Sequence, residues 1–160
     1  MNDSAIKKHV TKTWRYKSII IARVQGKLWV GDAYCLIHIA DVPRIPNDGE
    51  SFTESGDIRF KTKGPNIQAT IDRTLEKADK KLIVTKWFIE NNSDYGYARL
   101  FETRDGQKIY VDTVFLNLLV GKEDELRRYE FYGEGPAKAI MVKDEGQELM
   151  AILMPIDVRE

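Results

Sequence analysis

The chain has 160 residues and balances 25 Lys and Arg against 25 Asp and Glu, which is enough length for one domain with its own core. With no formal net charge, no global field draws in nucleic acid or a membrane, and any charged site must be a local patch. Cys35 is the single cysteine, which excludes an intrachain disulfide and a cysteine-built zinc site within one chain.

The start, Met1-Asn2-Asp3-Ser4, carries no apolar signal region and no run approaches membrane-spanning length. A cytoplasmic location without membrane contact is therefore expected. Residues 4–15 are predicted to form a helix capped by Asp3 or Ser4. Ile6, Val10 and Trp14 recur at i, i+4 and i+8 in one apolar stripe, and Lys8, Lys12 and Arg15 fall near the opposite side. Lys7, Lys8, Lys12, Arg15 and Lys17 are offset up to residue 17 by Asp3 alone. Such a face is either plain solvated surface or a phosphate-facing one, because aligned cations neutralise backbone phosphates without reading bases.

A β-branched run over 18–24, a Gln25-Gly26 turn and a return over 27–30 follow, and after an interruption residues 37–40 resume. The Pro-, Gly- and Asp-rich stretch 43–64 reads as a loop-rich insertion in a single domain spanning 1–160. Residues 67–75 and 81–89 look like two long strands joined near 76–80. From 97 the signals sharpen. Two β-prone runs, 97–103 and 108–111, flank Arg104-Asp105-Gly106-Gln107, and an Asp-Gly pair in that setting predicts a hairpin. Asp112 stands at a helix N-cap position before Val114, Phe115, Leu116, Leu118, Leu119 and Val120, and Gly121 is placed to stop the helix. Thr113 and Asn117 are its polar residues and Lys122 its terminal cation. Runs at 129–132, 137–142 and 149–156 then complete a three-strand meander.

Catalytic constellations are sparse. His9 and His38 lack neighbours at metal spacing, and no His-Glu-x-x-His, Gly-x-Ser-x-Gly or phosphate-cradling loop occurs. Cys35 and His38, three apart in an extended run, point to different faces, so a buried cysteine is the better reading. Asp72, Glu76, Asp79 and Lys81 resemble the acid-plus-lysine sets of metal-dependent nucleases, although a solvated hairpin explains them more simply. Trp87, Phe88, Tyr95, Tyr97 and Tyr132 are read as core aromatics of a sheet, with base stacking as the alternative.

Helix then meander occurs twice, and that order resembles one domain of a DNA sliding clamp. The C-terminal stretch is similar to the end of the last domain of the bacterial β-type clamp. Tyr110-Val111-Asp112 runs into Phe115-Leu116-Asn117-Leu118-Leu119, then Tyr129-Glu130-Phe131. Gly135-Pro136-Ala137-Lys138-Ala139-Ile140-Met141-Val142 and Met150-Ala151-Ile152-Leu153-Met154-Pro155-Ile156 close the pattern. In the first half, residues 19–24 and 28–36 are similar to paired strands of a clamp half.

The resemblance implies an α+β domain, mostly antiparallel sheet, with two short helices on one face. It implies a non-catalytic binding protein without metal or cofactor. Its helices would face duplex DNA, with backbone contacts from Lys7, Lys8, Lys12, Arg15, Lys17 and Lys122. Replication proteins would dock peptides at Met154, Pro155 and Ile156. Clamp rings use six such domains, so a one-domain chain is expected to form a homo-oligomer or join a larger partner, through edge strands at 81–89 or 137–142. The chain departs from the pattern in two places. No basic residue lies between Asp112 and Gly121, and Asp157-Val158-Arg159-Glu160 stands where the family carries a basic residue and an apolar end. For Met154 and Ile156 the plainer alternative is the end of a buried strand. An interaction or inhibitory module of a mobile element that leaves DNA alone is the second expectation, and a small metal-dependent nuclease the third.

Overall fold

The computed structural model describes residues 4–6, 18–31, 34–39, 51–55, 58–60, 67–90 and 96–156. In chain order the strands of its larger sheet are β1 (Ser18–Val24), β2 (Lys27–Gly31), β3 (Cys35–Ile39), β4 (Ser51–Ser55), β5 (Ile58–Phe60), β6 (Lys80–Lys81), β10 (Glu130–Gly133), β11 (Ile140–Lys143) and β12 (Leu149–Leu153). These nine strands lie in the order β5-β4-β1-β2-β3-β12-β11-β10-β6. A smaller sheet holds β7 (Ile83–Glu90), β8 (Tyr97–Glu102) and β9 (Lys108–Asp112), in that order. All pairings of the described strands are antiparallel. With helices α1 (Ile67–Lys77) and α2 (Thr113–Leu119) and a 3-10 segment at Glu123–Arg128, the fold is α+β and mostly antiparallel.

The large sheet is organised about its middle. Meander β1-β2-β3 and meander β10-β11-β12 meet where β3 pairs with β12, with Ala151 opposite Ile37, Ile152 opposite Leu36 and Leu153 opposite Cys35. Strand alternation then sorts side chains into two cores. Leu28, Val30, Cys35, Ile37, Ile140, Val142, Ala151 and Leu153 face one side, where Phe115, Leu116, Leu118 and Leu119 of α2, Phe101 and Ile109 of the small sheet, and Ile6 cover them. Ile6 belongs to residues 4–6, which are helical. Those residues and α2 therefore share one face of the sheet, as the sequence pattern predicts. The remainder of the predicted first helix lies outside the described residues.

On the other side, Val24, Trp29, Leu36 and Ile152 pack against Ile67 and Ile71 of α1. This corrects the expectation of a strand at 67–75. Its β-branched residues suit a helix here because Ile67, Ile71 and Thr74 are buried at i, i+4 and i+7 on one stripe. The Thr74 hydroxyl donates to the Thr70 carbonyl at 2.8 Å, and Gln68 Nε2 donates to Asp72 at 2.8 Å on the outer face. The second expected strand, at 81–89, is present as β6 and β7. Within the stretch expected to be loop-rich, β4 and β5 extend the sheet beyond β1.

The C-terminal unit follows its sequence signals closely. The β8–β9 hairpin turns at Gly106, whose φ of +88° favours glycine, and the Gly106 amide donates to the Thr103 carbonyl at 3.0 Å. The Asp112 carboxylate accepts from the Val114 amide at 3.0 Å and caps α2. The helix ends at Leu119 with Val120 in extended conformation, so Gly121 is not the left-handed stop expected of it. β11 begins later than expected, because Ala137 turns with φ of +58° before it, and the third closing strand ends at Leu153, with Ile156 in an isolated bridge to Tyr110.

Candidate interaction site

Among the described residues, the small sheet carries the most exposed apolar side chains. Its strand β7 pairs with β8 and slips register between Val84 and Phe88. That bulge is locked by side chains. The Thr85 hydroxyl donates to the Leu100 carbonyl at 2.6 Å, and the Trp87 amide donates to Thr85 Oγ1 at 3.1 Å. Arg99 Nε donates to the Thr85 carbonyl at 2.7 Å. The slip interrupts the regular alternation of the strand, and Trp87 and Phe88, adjacent in sequence, are both exposed. Trp87 is 72% exposed, Tyr97 58%, Ile83 55% and Phe88 45%. The reading of Trp87, Phe88 and Tyr97 as core is thereby corrected; Tyr132 is half-buried, and Tyr95 lies outside the described residues. One sequence signal points this way: adjacent aromatics cannot both face inward on a regular strand.

Register places Phe88 opposite Arg99 and Glu90 opposite Tyr97, so Phe88 and Tyr97 are diagonal neighbours on one face, about 7 Å apart. The Arg99 guanidinium lies 5.0 Å from the Phe88 ring centroid, a cation–π contact that holds the ring. Behind them a cleft of about 180 Å³ opens between the sheet and α2, lined by Phe88, Arg99, Thr113, Asn117 and Lys122 among others. Thr113 Oγ1 donates to the Tyr97 carbonyl at 3.0 Å, tying α2 to β8. Lys122, expected to meet DNA, is exposed at the mouth of this cleft. Lys7, Lys8, Lys12, Arg15 and Lys17 lie outside the described residues.

Met154, Pro155 and Ile156 are half-buried, and their backbone clasps the two sheets together. The Met154 amide donates to the Tyr34 carbonyl at 2.8 Å and the Ile156 amide to the Tyr110 carbonyl at 2.9 Å. Met154 also lines a second cleft, of about 340 Å³, with Arg73 and Lys77 of α1 and with Glu134 and Lys138 of the β10–β11 turn. Arg73 and Lys77 stand at i and i+4, one helical turn apart on a shared face. This cationic wall exists only because 67–77 is a helix, and the strand expected there hides it from a sequence reading.

The residues weighed for chemistry are dispersed. Cys35 is buried in the α2-side core, whereas His38 lies on the other side of the sheet with its ring 5.5 Å from Trp29. Burial, then the nearby Lys27 charge, pulls the His38 imidazole below its usual range, against a smaller opposite pull from Glu148. His9 lies outside the described residues. Asp72 and Glu76 are exposed on α1, and Asp79 and Lys81 border an open cleft with Lys80, Arg104 and Asp105. Among the described residues, no three His, Cys, Asp or Glu side chains come together as metal ligands, and no helix is long and apolar enough to cross a membrane. In comparisons with known proteins, no family model, curated protein or solved structure matches the chain.

Proposed function

We propose that this chain is a non-catalytic binding domain of sliding-clamp type, which associates with the backbone of duplex DNA, with replication proteins and with copies of itself. One observation carries the reading. Two antiparallel meanders join edge to edge at β3–β12, and the helical residues 4–6 and α2 lie over the same face. A duplicated unit of that kind presents those two helices on one side, opposite α1, and there Lys8, Lys12 and Arg15 would meet phosphates as the pattern of the first seventeen residues predicts.

Of the two strands expected to serve as contacts between copies, β7 has a single partner among the described residues, whereas β11 lies between β10 and β12. Residues 137–142 are therefore withdrawn as an edge, and any strand-edge contact falls to the β7 side. Duplex binding measured across a salt series, together with solution mass by light scattering, tests the proposal. Replacing Lys8, Lys12 and Arg15 by Ala should weaken binding and lower the salt slope by about 0.9 per lost contact. A monomer that ignores duplex DNA would remove the clamp reading. It would leave the second one, a protein-interaction module using the cationic cleft of Arg73, Lys77 and Lys138 beside Met154.

A further inference from the structure

Three aromatic side chains on neighbouring strands are exposed to solvent, while most large apolar residues described in the chain are well buried. Exposure of this order on adjoining residues marks a surface with a partner. Trp87 and Phe88 follow one another at the β7 bulge and are both exposed, and Tyr97 lies diagonal to Phe88 on β8. Lys86, beside them on β7, and Lys122, at the mouth of the cleft behind Phe88, are both exposed. Asn117 of α2 lines the same cleft.

We propose that this exposed end of the β7–β8 ladder is a platform for single-stranded nucleic acid, in which Trp87, Phe88 and Tyr97 stack bases while Lys86 and Lys122 hold phosphates. Rings interleaved with cations suit such a strand because every base offers a π-face and every linkage a negative charge. The fit to a second copy of the chain is poorer. A second copy brings its own Lys86 and Lys122 to the contact, so the pair of patches gathers positive charge, whereas a strand of phosphates neutralises both lysines. A duplex fits less well too, since its bases are already stacked and cannot reach exposed rings. Glu90, opposite Tyr97, sets the acidic border of the face.

The inference goes beyond the clamp reading and does not depend on it. The test is fluorescence anisotropy with a labelled oligothymidylate of about fifteen nucleotides, a length within the range that stacking domains cover. Trp87→Ala and Tyr97→Ala should each raise Kd by roughly tenfold, while Trp87→Phe, which keeps a ring, stays close to the parent. Lys122→Ala should weaken binding and lower the salt slope by about 0.7, as expected for one lost single-strand phosphate contact. Each variant is checked for an unchanged far-UV spectrum. In parallel, replacing Lys8, Lys12 and Arg15 together by Ala should reduce duplex binding and spare the oligothymidylate, which separates this platform from the clamp surface. Oligothymidylate affinity indifferent to Trp87→Ala and Tyr97→Ala overturns the proposal. So does a Trp87-dependent dimer that fails to bind the oligonucleotide.

Discussion

The C-terminal meander and the small sheet use the same kinds of residue to opposite ends. In β10, β11 and β12 the inward positions are closed on every side. Phe131, Ile140, Val142, Ala151 and Leu153 are almost wholly buried, and β11 is hydrogen-bonded along both edges. In β7 the aromatic side chains face water, and the backbone irregularity beside them is held by Thr85 and Arg99. The first arrangement supplies stability, and the second uses polar contacts to hold an exposed surface in shape. A surface ordered in this way is more informative about function than a core.

Substitutions in the two regions test this contrast, with urea unfolding as the common measurement. Phe131, in edge-to-face contact with Phe101 at 4.9 Å, joins the two sheets, and Phe131→Ala should cost about 3–5 kcal/mol. A loss under about 1 kcal/mol would mean that the sheets do not depend on this junction. Next in size is Gly31→Ala. A Cβ there would sit 2.0 Å from the Cys35 carbonyl oxygen and 2.8 Å from Leu36 Cα. Backbone must move to admit it, at a cost of about 3 kcal/mol, and full retention of the parent midpoint would contradict the tight β2–β3 turn. Asp112→Ala removes the cap of α2 and should cost about 1 kcal/mol; Asp112→Asn, which can still accept from Val114, should recover most of it.

A smaller effect is tied to pH. Gln147, Tyr132 and Lys81 all donate to the Glu130 carboxylate and hold its pKa at about 2, against a usual 4.5. Because the folded-state value is depressed, the contribution is complete above about 4.5. It is lost as pH falls towards 2, where the folded carboxylate finally takes its proton. Glu130→Gln should therefore flatten stability against pH in that window and change little of its slope at neutral pH. Identical acid slopes for variant and parent would count against the network. The least effect is expected from Trp87→Ala, within about 0.5 kcal/mol of the parent, even though it removes the most exposed large apolar side chain among the described residues. A large loss of stability there would show that Trp87 is structural and not part of a binding face.

Local chemistry makes some elements legible in the sequence. Asp105-Gly106 demands a hairpin because glycine accepts the positive φ. Asp112 caps because its short carboxylate reaches an unpaired amide. The β-branched run over 18–24 and its return over 27–30 are read as strands and are strands. The stretch 67–77 shows where such reading fails. Ile67, Thr70, Ile71 and Thr74 have strand propensity, yet their i, i+3, i+4, i+7 spacing also matches a helix, and only the apolar groove around Trp29 and Ile152 selects the helix. The candidate platform is hidden for a similar reason. Aromatics in a strand usually face a core, and whether they do depends on a register slip fixed by Thr85 and Arg99 against the neighbouring strand.

The antiparallel α+β class, the hairpin, the cap and the closing meander follow from patterns and contacts among residues close together in the chain. Tertiary structure decided the union of the two meanders at β3–β12, the helical state of 67–77, the interior position of β11 and the outward turn of Trp87 and Phe88. Each of those depends on which distant strand lies alongside, and a local pattern of residues carries no information about that partner.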